Sequence, residues 1–369
     1  MGRGSTESPA QPSGTAPPEE TGRKRRSPDR TLALAVVGLI VVVVAFFSSY
    51  ASALGKPTAH HIPVAVVAPP AVIARLAASP LLGVRPAPNL ATARRMVEDR
   101  TVFGALDLPP AGPTTLLVAN GGGHAVETFL LQAGQQIAHA RGTPLTTVDV
   151  APTSPHDPSG TVEFYCIAFL FLGAALGATV LGRLLGPIRS FPDALWRLGW
   201  ILLYAGLLSL VVTFFADVVF GALIGHFGLL FLTLWLFVAA VCLAVSGLAA
   251  RAGMAASLVL ILVLIALGNP SSAGPVPRPL LNGFYSGLNP VLPQGAALSV
   301  LRGVQYFGNQ GIAAGLLCLM VWALAGLGLL VATGLRWPHR RAVTQSLNQL
   351  QACRPPPVQA AAPRTAHSG

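Results

Sequence analysis

Apolar residues gather into six long runs along this chain, at 32–54, 162–181, 198–220, 227–248, 252–268 and 312–334, with few charged positions inside any of them. About 20 consecutive apolar residues let a helix cross a hydrocarbon layer ~30 Å thick, because lipid offers no partner to an exposed N–H or C=O. The pattern predicts an α-helical multi-pass membrane protein with six transmembrane helices. Between the first and second runs the period changes. Strand-like stretches at 62–67, 101–108, 114–119 and 146–150 alternate with helical ones at 71–78, 90–100 and 124–141. This alternation predicts a small α/β insert domain over 55–160, on a partly parallel sheet covered by helices. Residues 1–30 and 336–369 are predicted to be disordered tails, because Pro, Ser, Gly and Arg dominate them and nothing there can bury a core.

Composition supports the membrane assignment, with 53% hydrophobic and 10% charged residues. A net charge of +11 in a soluble protein would point to nucleic acid. Here the basic residues cluster beside the apolar runs: Arg23, Lys24, Arg25, Arg26 and Arg30 before the first, Arg183, Arg189 and Arg197 between the second and third, Arg251 between the fourth and fifth, and Arg336, Arg340 and Arg341 after the sixth. The positive-inside rule then puts both termini in the cytoplasm, and 55–160 and 269–311 together on the outer side of the cell membrane. The basic excess therefore reports topology and contact with anionic membrane lipids, with no role in nucleic-acid binding. Ala51-Ser52-Ala53 imitates a signal-peptide cleavage site, but the preceding apolar run is longer than the usual 7–15 residues, so the segment is an anchor. Cys166, Cys242 and Cys318 fall inside apolar runs and Cys353 in the tail, so no disulfide is expected in the insert.

The segment 269–311 carries the most distinctive text. Asn269-Pro270, Asn289-Pro290, Pro293-Gln294-Gly295-Ala296, Arg302 and Tyr306-Phe307-Gly308 punctuate it. Ala297, Leu298, Val300, Leu301, Val304 and Phe307 recur at helical spacing with Ser299, Arg302 and Gln305 opposite, the pattern of a helix at the membrane interface or dipping into it. Asn269, Pro270, Asn289, Pro290, Pro293, Gly295, Arg302 and Tyr306 are therefore candidate pathway or gating residues. Asp217, the one acid well inside an apolar run, joins them with His226, its nearest candidate partner. Glu163 stands at the edge of the second run and calls for no functional account. Gly173/Gly177, Gly221/Gly225 and Gly311/Gly315 have the spacing of close helix approach.

On these motifs the chain resembles the membrane permease subunits of type-2 ABC exporters, and among them the bacterial phage-infection-protein-like branch. The likeness covers about residues 31–336 and includes Pro63-Val64-Ala65-Val66-Val67 and Val102-Phe103-Gly104-Ala105-Leu106 of the insert. One departure is that Ala68-Pro69-Pro70 stand where that family commonly has Asn and an acid. The resemblance implies a homodimer, or a heterodimer with a similar permease, driven by a separate ABC-type ATPase that supplies the ATP chemistry. It also implies docking of that ATPase on the loop holding Arg183, Arg189, Phe191 and Asp193.

The residues themselves place a motor elsewhere. A phosphate-cradling Gly-x4-Gly-Lys-Ser/Thr loop needs a lysine, and neither Lys24 nor Lys56 lies in one. No catalytic residue, cofactor-binding residue or metal-ligand spacing emerges: Gly121-Gly122-Gly123 reads as a turn, and His124, His139 and His156 are irregularly placed. The expected function is export of an amphipathic or lipid-like molecule, since apolar spans suit such cargo better than ions. The alternative is a non-transporting envelope receptor or assembly protein, anchored by its helices. A proton-coupled carrier working through Asp217 ranks behind both.

Overall fold

In the computed structural model the structure describes residues 2, 28–55, 59 and 61–352, with side chains from Leu32 to Arg336. The expectations for most of the tails, with Arg23, Lys24, Arg25, Arg26 and Cys353, and for Lys56 and His60, lie outside the described residues. Helix α1, Pro28–Leu54, crosses from one compact unit (residues 1–45) into a second (46–369). Apart from α1, the elements described below belong to the second unit.

Strand β1, Ile62–Val67, is followed by α2, Pro70–Ala77, β2, Leu82–Pro86, α3, Leu90–Glu98, β3, Gly104–Asp107, β4, Thr114–Val118, α4, His124–Arg141, and β5, Leu145–Asp149. The sheet order is β2-β1-β3-β4-β5, parallel throughout except for the antiparallel β3–β4 pair. Crossovers through α2, α3 and α4 account for the parallel neighbours, whereas the short Pro-rich link 108–113 can only return the chain beside itself. β2 is absent from the sequence-based expectation, because Leu-Gly-Val-Arg-Pro holds too few β-rich positions to stand out. Pro69 and Pro70, in the departure noted above, form the start of α2.

The sheet does not own its core. Ile62, Val64, Val66, Leu106, Leu116 and Leu130 share one apolar cluster with Val276, Leu280, Leu281 and Tyr285 from the segment before the last span. A second cluster joins Ala65, Val97, Ala105 and Leu117 to Phe307. The insert is thus fused to residues more than 100 positions away, beyond a tether to one span.

Among the described residues, six helices are long and apolar enough to cross a membrane: Leu32–Leu54, Val162–Leu184, Phe191–Val219, Phe227–Ala252, Met254–Ser271 and Ala313–Arg336. They comprise α1; α5, Val162–Leu184; α6, Phe191–Phe214; α7, Phe227–Ala252; α8, Met254–Val263, continued by π-helical turns and α9, Asn269–Ser271; and the first part of a longer final helix. After α9 the chain forms α10, Gly283–Leu288, and α11, Pro293–Tyr306, before α12, Ala313–Ala352. The last helix therefore runs on through residues assigned above to a disordered tail. Helix α7 is the axis of the bundle, with 67% of its apolar window buried among α5, α6, α11 and α12. Close approach there depends on Gly247 and Gly326, whose missing side chains let α7 and α12 meet backbone to backbone. Gly173 and Gly177 admit Leu208 and Tyr204 of α6 in the same way, whereas Gly221 and Gly225 lie in a turn with positive φ and join no helix pair.

Candidate functional site

The helix expected at the membrane interface or dipping into it is α11, and it packs into the bundle. Nearly every residue of α11 is buried, including Gln294 and Arg302, and the helix packs on α5, α7 and α12. The helical wheel correctly placed Arg302 opposite the apolar face, but that face meets protein here, so the guanidinium must be satisfied internally. Its terminal nitrogens donate to Ala273 O at 2.9 Å and Gly274 O at 3.1 Å. Ala273 is held at φ 64°, which costs a non-glycine residue on the order of 1 kcal/mol and is sustained only by surrounding contacts. Gly274 has no room for a side chain, because Phe164 of α5 presses on it.

Above this segment Arg100 reaches down from the α/β domain. It follows the last turn of α3 in the left-handed conformation, φ 58°, with its N–H bonded to Val97 O and the next N–H, of Thr101, to Met96 O. Such helix ends ordinarily carry glycine. The arginine spans to Ser299 of α11, donating to its backbone O at 2.9 Å and its Oγ at 3.2 Å, and stacks over Phe307 with 5.3 Å to the ring centre. Burial, and then the charge of Arg302, push its pKa down to about 10, so it remains cationic at neutral pH.

Between the two arginines lies a cavity of about 420 Å³, within the ~300–1,000 Å³ of ordinary ligand pockets. Arg100, Arg302 and Arg278 line it with Asn289, Ser272 and Ser299, and no carboxylate does. Arg278 stands exposed at the rim, where its Nε donates to Ser286 O at 3.1 Å. Of the four non-glycine residues with positive φ among the described residues, His61, Arg100 and Ala273 line this cavity and only Asn309 does not.

Glu163 stands at the edge of its run, at the start of α5. It is wholly buried in the first turn of α5, and neither carboxyl oxygen has a hydrogen-bond partner of full geometry. Tyr306 Oη lies against it without closing such a bond, and Arg302 supplies an opposing charge without forming a salt bridge. Burial, reinforced by that carboxyl, pushes the Tyr306 phenol up. The Tyr306 ring in turn occupies the space that a side chain at Gly121 would need. Gly121-Gly122-Gly123, in and after a 3-10 turn, is thus the seat of the domain on α11.

The other candidates are structural supports or stand apart. Asn289 is buried and donates to Ser271 O at 2.8 Å; Pro270 is buried in α9, Pro290 is exposed, and Pro293 starts α11. Gly295 sits against the Asn289 backbone. Asn269 keeps its side-chain oxygen buried and without a partner. Gln294, not singled out by the sequence, donates to Leu264 O at 2.8 Å beside the π-helical turn. Asp217 lies in a second π-helical turn, Phe215–Val219, and forms no ion pair with His226, which is exposed. In the α5–α6 loop, Arg183 ends α5 and Phe191 is exposed. There Asp193 accepts from the Arg189 N–H at 2.9 Å while Ser190 Oγ accepts from the Asp193 N–H at 3.3 Å, a reciprocal helix cap.

These features define a class: the chain is a multi-pass helical membrane protein with an α/β domain seated on a broken-helix segment. No protein-family model, curated protein or solved structure matches it.

Proposed function

We propose that this chain is the membrane-spanning permease subunit of an ATP-driven exporter of the ABC type, moving an amphipathic or lipid-like molecule out of the cell. A separate ATPase energises it, and two permease chains, identical or similar, form the membrane unit. The positive-inside distribution of arginines supports cytoplasmic termini in the cell membrane, with the α/β domain and 269–311 outside. The observation that carries the reading is the interrupted fifth span. It ends in π-helical turns and α9, the chain then returns to the bundle as the buried α11, and this helix meets the α/β domain through Arg100 and Ser299. Discontinuous helices of this kind build cargo paths in transporters, because irregular backbone is tolerated only where protein or a cavity satisfies it. The exposed Arg189 and Phe191 at the start of α6 offer a rigid surface for the ATPase, because the Ser190–Asp193 cap fixes the loop.

The test is copurification of an ABC-type ATPase with the full chain from its native host. Replacing Arg189, Phe191 and Asp193 together is expected to release the ATPase while the permease stays in the membrane. An ATPase that stays bound contradicts the docking loop. A chain that never associates with an ATPase, yet retains a ligand or protein partner on its α/β domain, favours the anchored receptor.

A further inference from the structure

We infer that the cavity between Arg100, Arg278 and Arg302 binds the phosphate group of an anionic amphiphile. The inference deepens the export reading, to which it supplies the substrate class, and it rests on that reading for its place in transport. The charge balance argues first. Three guanidinium groups face one space of about 420 Å³ with no carboxylate among its described lining residues; Glu163 opposes the charge of Arg302 from outside that lining, and no salt bridge among the described residues engages any of the three. Guanidinium donors match phosphate oxygens in pairs, and their preference for anions strengthens where water is excluded.

The donors are also partly held in place. Arg302 is fixed by Ala273 O and Gly274 O, and Arg100 by Ser299, whereas Arg278 uses only its Nε among the described residues. Asn289, Ser272 and Ser299 add neutral polar groups to the lining. Backbone geometry that favours glycine is retained at Arg100 and Ala273. Glycine at position 100 would relieve that strain, so what the arginine adds there is its guanidinium.

Depth selects an amphiphile over a free anion. Ser272 and Ala273, both lining residues, directly follow the span that ends at Ser271. The cavity therefore adjoins the end of a helix long and apolar enough to cross a membrane, which under the export reading puts it at the level where lipid headgroups meet water.

The experiment uses the purified full-length chain in detergent micelles, without an ATPase, and measures binding of short-chain phosphatidic acid, matched phosphatidylcholine and inorganic phosphate. Wild-type protein is expected to hold phosphatidic acid at least about tenfold more tightly than either comparison probe. Arg278→Gln, at the exposed rim, is expected to weaken that binding about tenfold with an unchanged melting profile. Arg100→Gln should weaken it further, and Arg94→Gln, on the exposed face of α3, should leave it intact. Equal binding of phosphatidic acid by wild type and Arg278→Gln would overturn the site. Inorganic phosphate binding as tightly as the lipid would overturn the amphiphile as its source. Because no ATPase is present, loss of lipid binding and loss of ATPase association are separate results, and either proposal can fall without the other.

Discussion

The α5–α6 loop and the junction between the α/β domain and α11 both display arginines beside a carboxyl, yet they satisfy them in opposite ways. In the loop, Ser190 and Asp193 cap the helix start within four residues, and Arg189 and Asp193 face solvent, while Arg197 further along α6 is buried on the Gly186 carbonyl. At the junction, Arg100 meets Ser299 across 199 positions, Arg302 is buried on two carbonyls, and Glu163 is buried without a full hydrogen bond. The difference teaches where stability and sensitivity sit. Solvated, locally bonded charges contribute little and tolerate change, whereas buried ones depend on every partner, because an orphaned polar group retains its desolvation cost.

The largest effect that would break this contrast belongs to Arg302→Ala. Two buried carbonyls lose their donor, and the expected destabilisation is about 3–5 kcal/mol, read as a lowered melting temperature in detergent. A shift as small as that of a surface variant would show that the junction is hydrated. Next comes Gly121→Val, which forces a side chain into the Tyr306 ring and should cost about 1–3 kcal/mol by the same measurement. Ser190→Ala removes one cap acceptor, with an expected loss of ~1 kcal/mol and increased amide exchange confined to the first turn of α6. Smallest is Arg94→Gln, which breaks the 2.8 Å bridge to Glu98 on an exposed helix face and should change stability by no more than about 0.5 kcal/mol.

The same contrast explains what could be read from residues alone. Each span declares itself through its own composition, and all six appear in the structure with ends within four residues of those expected, except that the third begins at Phe191, seven residues before 198. The cap at Ser190 and Asp193 was equally accessible in principle, since its partners are neighbours. The junction was not. Arg302 was placed on the correct side of its helix, but periodicity cannot say whether that side meets water or protein. Glu163 stands one residue into an apolar run, and only the packing of Tyr306 and Arg302 reveals that it is sealed. Arg100 gave one faint signal, an arginine where the end of a helix favours glycine, with a partner too distant in the chain to name. The shared cores likewise arise from residues that no local window contains together.

The central claim is that the α/β domain and the broken-helix segment act as one body through Arg100. Hydrogen–deuterium exchange on the full chain in lipid nanodiscs, comparing wild type with Arg100→Gln, addresses it directly. Faster exchange is expected both in 96–103 of the domain and in 299–310 of α11 and its following loop. Faster exchange confined to 96–103, with α11 and its loop as protected as in wild type, would contradict the account.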